Sequence, residues 1–199
     1  METLEQIYDR LCVTPLDINE HLPTLKKYAE DCEHVTEMGV NAVVSTYALM
    51  MGKPKKLISY DIIPVEHFGV GREYLTQLAA AHGIDFSFVE ADTTNLSIES
   101  TDCLFIDTEH NYLQLKIELL MHAARVRKYI ILHDTVSFGH TDSNTYGRFH
   151  NLPEIDPGDK LKRGLMPAIV QFLEKHPEWE MHEHFTNNNG LSVLKRRVL

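Results

Sequence analysis

The period at which apolar residues recur changes several times along the chain. Leu4, Ile7 and Leu11, then Ile18, Leu22, Leu25 and Tyr28, recur every three to four residues, which predicts two opening helices within residues 1–32, with Asp17 as N-cap of the second. Five β-prone runs follow, at His34–Met38, Lys56–Asp61, Phe86–Glu90, Asp102–Asp107 and Tyr129–His133. Helical patterns over Ala42–Met51, Val65–His82 and Tyr112–Val126 separate most of them. Strands alternating with helices predict a parallel sheet covered on both faces by right-handed crossovers.

The rhythm then breaks. Thr135 to Arg163 contains Gly139, Gly147, Pro153, Pro157 and Gly158 among polar residues and reads as a long, lid-like loop. Leu165–Lys175 reads as a helix, and two strands around the turn Asn188-Asn189-Gly190 form a terminal antiparallel hairpin. The expected fold is α/β: a Rossmann-like, doubly wound, mostly parallel seven-stranded sheet with a C-terminal antiparallel hairpin, in one domain over residues 1–199.

Charge and cysteine content narrow the partners. With 29 acidic and 19 basic residues the formal charge is -10, which disfavours general nucleic-acid binding. Short basic runs, Lys160 to Arg163 and Lys195 to Arg197, read as solvated surface. Cys12, Cys32 and Cys103 lack the spacing of a disulfide framework or zinc knuckle, and no stretch reaches membrane-spanning length, so a soluble cytoplasmic protein is expected. A homo-oligomer is compatible with the sequence.

Acids gather where the strands end. Glu37 and Gly39 follow the first run, Asp61 the second, Asp92 the third, Asp107 the fourth, and His133-Asp134 the fifth. Open α/β sheets bind ligands at this carboxyl edge, where the strand order reverses. A carboxylate after the second strand can accept the hydroxyls of a ribose, and one after the third can receive an adenine amino group.

In these positions the chain resembles class I S-adenosylmethionine-dependent methyltransferases, and within them the small-molecule O-methyltransferases and the cephalosporin-hydroxylase-like, methyltransferase 24 group. Glu37, Gly39, Ser45 and Thr46 match a first loop of the form E-I-G-x-x-x-G-G-S-T, and "DTEHNY" supplies Asp107, His110 and Tyr112 for D-G-D-H-x-Y. Val43 and Val44 stand where the paired glycines of that loop would be, while Asn41 is a residue that enters the left-handed region readily. The resemblance implies S-adenosylmethionine as cofactor, held by Glu37, Gly39, Asn41, Ser45, Thr46, Asp61, Asp92, Thr93 and Asp107.

It also implies methylation of an oxygen on a small polar acceptor such as a sugar. His110 and His133 are candidate general bases, because imidazole titrates near neutrality, and Asp134 completes the catalytic set. Asp107 and Asp134 are the candidate ligands of a divalent ion such as Mg²⁺. Two other readings use the same residues: a non-catalytic methyltransferase-like module for assembly or partner binding, suggested by Val43-Val44, and a different metal-assisted reaction. "HEH" at His182 to His184 alternates along a strand and does not suggest zinc, and no P-loop or G-x-S-x-G is present.

Overall fold

The computed structural model describes residues 2–143 and 157–197. In chain order the elements are α1 (Leu4–Val13), α2 (Leu22–Glu30), β1 (His34–Met38), α3 (Val44–Met51), β2 (Lys56–Asp61), α4 (Arg72–Ala81), β3 (Asp85–Glu90) and β4 (Thr101–Ile106). Then come α5 (Tyr112–His122), β5 (Val126–His133), α6 (Leu165–Lys175), β6 (Trp179–Phe185) and β7 (Leu191–Arg196). The seven strands lie in the order β3-β2-β1-β4-β5-β7-β6. β1 to β5 are mutually parallel, whereas β7 runs antiparallel to both β5 and β6.

Strand side chains alternate between two cores, as the twofold period of a strand requires. Val35, Leu57, Phe86, Phe88, Cys103, Phe105 and Ile131 face α1 to α4, while Met38, Ile58, Leu104, Ile106, Ile130 and Leu132 face α5 and α6. The central strand β4 is buried at all six positions, and its last four residues, 103–106, are accordingly a continuous apolar run rather than an alternation. Its first carboxylate, Asp102, accepts the Glu33 and His34 amides and the Arg127 Nε–H, at 2.9, 3.1 and 2.8 Å. Burial would raise its pKa, but the guanidinium and the amides hold it at about 2, so this acid pins the edge of the sheet opposite the candidate site.

Three expected elements are corrected. Asp17 is not a helix cap: a 3₁₀ turn over Asn19–His21 precedes α2, whose N-cap is His21 without a side-chain cap bond. The single helix expected over Val65–His82 is a 3₁₀ turn, Val65–Phe68, followed by α4, because Gly69 takes a left-handed φ of 77° and ends the first turn. The helix after β1 starts at Val44 rather than Ala42, since Val43 is itself left-handed. No helix among the described residues is long and apolar enough to cross a membrane.

Of the lid-like loop, residues 144–156 lie outside the described residues. Its first part is fastened down: the Val136 and Ser137 amides donate to the Asn189 carbonyl at 2.9 and 3.0 Å. The Asp142 carboxylate accepts the Tyr112 and Gly164 amides at 3.0 and 2.6 Å.

Candidate functional site

The strand order reverses between β1 and β4, and the two loops that leave these strands touch. Gly39 has a φ of 83°, and a Cβ there would lie 2.0 Å from the Asp107 carbonyl oxygen, so only glycine lets the β1 loop pass β4 at the switch point. The Asp107 amide donates to the Met38 carbonyl at 2.8 Å and the Gly39 amide to that of Tyr60 at 2.9 Å.

Beyond Gly39 the loop makes two more left-handed steps, at Asn41 (φ 45°) and Val43 (φ 67°). A β-branched residue is strained in that region. Here the Val43 side chain is wholly buried, in the core formed with α1 to α4, and this packing offsets the strain. Val43 therefore turns into the core, and Val44, half-buried, packs against it. Asp61, at the end of β2, holds the outer side of the loop: Oδ2 accepts the Val40 and Asn41 amides at 2.7 and 3.0 Å, and Oδ1 the Ile63 amide at 2.8 Å.

Glu37, Ser45 and Thr46 come together, but facing inward. The Ser45, Thr46 and Ser59 hydroxyls donate to the Glu37 carboxylate at 2.6, 2.8 and 2.5 Å, and all four side chains are buried. Burial drives the Glu37 pKa up to about 7 although the three hydroxyls work to lower it. These three residues, expected at the cofactor, use their side-chain polar atoms in fixing α3 to β1 and β2.

The remaining acids and imidazoles do meet. His110 Nε2 lies 2.9 Å from Asp134 Oδ2 and 3.3 Å from Asp107 Oδ1. His133 Nδ1 lies 3.3 and 3.4 Å from the same two oxygens, and its Nε2–H donates to the Asn188 carbonyl at 3.3 Å. Asp134 reaches the cluster through a left-handed φ of 60°. Phe138 stacks on His110 with ring centroids 4.7 Å apart, and His21 meets His133 edge-on at 5.7 Å.

Electrostatics in this cluster favour charge separation. Burial alone would lower both histidine pKa values, but the two carboxylates raise His110 to about 9 and His133 to about 10. Burial would raise Asp107 and Asp134, but the imidazoles hold both below the usual carboxylate range. The carboxylates therefore favour the protonated form of both rings, the two residues expected from the sequence as general bases.

The cluster also has the composition of a cation site. One donor atom each from Asp107, His110 and Asp134 falls within 4.8 Å of the others. His133 Nδ1 is buried and, despite its proximity to both carboxylates, lacks a hydrogen bond of good geometry. Two carboxylates and the His110 imidazole, in its neutral form, fit a divalent ion.

At the third strand, Asp92 Oδ1 accepts the Thr94 amide and hydroxyl at 2.9 and 2.6 Å and so caps a 3₁₀ turn. Thr93 is buried, and its hydroxyl donates to Glu118 at 2.6 Å rather than facing the rim. Glu118 is a residue the sequence reading missed. Burial raises its pKa to about 7, against hydroxyl and amide donors that lower it. The signal was legible: Gln114, Glu118 and His122 recur every four residues in the largely apolar stretch "YLQLKIELLMH" and share one face of α5.

No family model matches the chain, and no curated protein matches it. Solved structures do match. The O-methyltransferase from Bacillus cereus in complex with SAH superposes with a TM-score of 0.60 at 16% identity, covering 98% of this chain and 90% of that one. The SAH-bound methyltransferase PaMTH1 of Podospora anserina gives 0.58 at 15%, covering 100% and 89%. The N-terminal domain of EvdMO1, in the presence of SAH and D-fucose, gives 0.52 at 17%, covering 94% and 84%. At these identities the likeness is one of fold: this chain has the Rossmann-like fold of class I methyltransferases.

Proposed function

We propose that the protein is an S-adenosylmethionine-dependent methyltransferase acting on an oxygen of a small polar acceptor. The observation that carries this reading is the convergence of Asp107, His110, His133 and Asp134 at the carboxyl rim, beside the switch point, on a fold that SAH-bound O-methyltransferases share. Asp61 and Asp92 border the nucleoside side of that rim, and Gly39 and Asn41 form the backbone beneath it. S-adenosylmethionine, when bound, supplies an electrophilic methyl group. A divalent cation held by Asp107, His110 and Asp134 would supply charge that favours an ionised acceptor oxygen.

The chain's own contribution is orientation and charge. At the rim His110, once it has given up its own proton, can either ligate the cation or accept the acceptor's hydroxyl proton, and Asp107 and Asp134 hold the charge that gathers there. The Nε2–H bond from His133 to the Asn188 carbonyl fixes that ring, and stacking on Phe138 fixes His110. A sugar is a fitting acceptor chemically, since neighbouring hydroxyls can engage both carboxylates, and D-fucose accompanies SAH in the EvdMO1 domain. The reading extends to a single domain without membrane or general nucleic-acid partners.

Val43 favours a second reading, a methyltransferase-like module without catalysis, because the left-handed step at this buried valine stiffens the loop where a ligand would lie. Isothermal titration with S-adenosylmethionine and SAH decides between them. Binding by the wild type, weakened about tenfold or more in Asp61→Ala as the Val40 and Asn41 amides lose their acceptor, is expected. Absence of heat at millimolar ligand would overturn the cofactor assignment.

A further inference from the structure

Gln114, Glu118 and His122 form a polar stripe on α5 that is buried, lies outside the acid–imidazole cluster, and converges on one residue. The Gln114 Nε2–H donates to the Thr93 hydroxyl at 3.2 Å, that hydroxyl donates to Glu118 Oε1 at 2.6 Å, and His122 Nε2 lies 2.8 Å from the Thr93 carbonyl oxygen. The Thr108 hydroxyl reaches both Glu118 oxygens at 2.9 Å, and Gln114 Nε2 reaches Oε1 at 2.7 Å. Thr93 follows Asp92 and Thr108 follows Asp107. One carboxylate thus ties the loop on the nucleoside side of the rim to the loop carrying the acid–imidazole cluster, and it shares a small cavity with Asp107, His110 and His133.

We infer that Glu118 is a positioning residue that couples the two halves of the site, so that a ligand ordering the Asp92–Thr94 turn also orders Asp107 for its cation and acceptor. The physical basis is that a buried carboxylate held by three donor groups moves only if its partners move with it. Displacement of the Thr93 turn is transmitted to Thr108 through two hydrogen bonds, within a packed core that deforms little. Such coupling is reciprocal: the cation raises affinity for the nucleoside as much as the nucleoside raises affinity for the cation.

This inference rests on the methyltransferase reading, and its test separates the two. SAH affinity is measured calorimetrically with and without Mn²⁺ for the wild type, Glu118→Gln, Glu118→Leu and Thr108→Val. The wild type is expected to bind SAH roughly fivefold or more tightly with Mn²⁺ present, within the usual range of allosteric coupling. Glu118→Gln keeps a carbonyl oxygen for Thr93 and an amide for Thr108, and retains most of that factor. Thr108→Val, nearly isosteric and cutting only one arm, reduces it to about one while SAH affinity without Mn²⁺ stays within about twofold; Glu118→Leu loses it as well. A factor of one in the wild type, or an undiminished factor in folded Thr108→Val, overturns the coupling role. Failure of the wild type to bind SAH at all overturns the methyltransferase reading itself, and is seen before any variant is made.

Discussion

Replacing Glu37 by Gln should change the pH dependence of stability more than stability itself at low pH. In the fold the carboxyl titrates at about 7, against 4.5 for an ordinary glutamate, because burial outweighs the hydroxyls of Ser45, Thr46 and Ser59. A carboxyl whose folded pKa is raised keeps its proton longer in the native state, so its contribution is fully present below pH 4.5 and is lost as pH rises through 7. The loss approaches about 3 kcal/mol above pH 8, of which about 2–3 kcal/mol falls between pH 5 and 8. Glu118 contributes a similar slope. The measurement is therefore a difference: urea denaturation of wild type and Glu37→Gln at matched pH values from 5 to 8. The wild type should lose about 2–3 kcal/mol more than the variant over that span, equivalent to about 5–10 °C in Tm for a chain of this size. Parallel profiles would refute the reasoning, since they would mean that three hydroxyl donors keep Glu37 ionised throughout.

Two further outcomes follow from backbone geometry. Gly39→Ala should destabilise by about 3 kcal/mol or more, or prevent folding, because the added methyl meets the Asp107 carbonyl at a positive φ; thermal unfolding reads this directly. Asn188, at φ 44°, donates to the Leu16 carbonyl and accepts the Glu20 amide, so Asn188→Gly, which keeps the left-handed turn, should cost about 1–2 kcal/mol, with Asn188→Ala costing more by denaturant titration.

The sheet and its hairpin were legible because period and turn chemistry agree there. β-prone runs separated by helical ones leave few alternatives, and Asn188-Asn189-Gly190 can do little but turn. The acid–imidazole cluster was legible for a related reason: strand ends in a parallel sheet share one edge, so Asp107 and Asp134 had to be near one another. Orientation was not legible. Whether Glu37 faces the rim or the core depends on the hydroxyls of Ser45, Thr46 and Ser59, one of them on a neighbouring strand. The left-handed Val43 was hidden because its local preference is overridden by tertiary packing. The split at Gly69 was visible in the residue itself, but the apolar period on either side masked it.

The turn between β6 and β7 ties together parts of the chain that are made at very different times. Asn188 accepts the amide of Glu20, 168 residues earlier, while its carbonyl receives the ring of His133, 55 residues earlier. The first five strands can pair as they emerge during synthesis, but β7 must insert between β5 and β6 before His133 acquires this anchor. A chain ending before Asn188 should therefore keep the parallel strands β1 to β5 while leaving the His133 ring without this anchor.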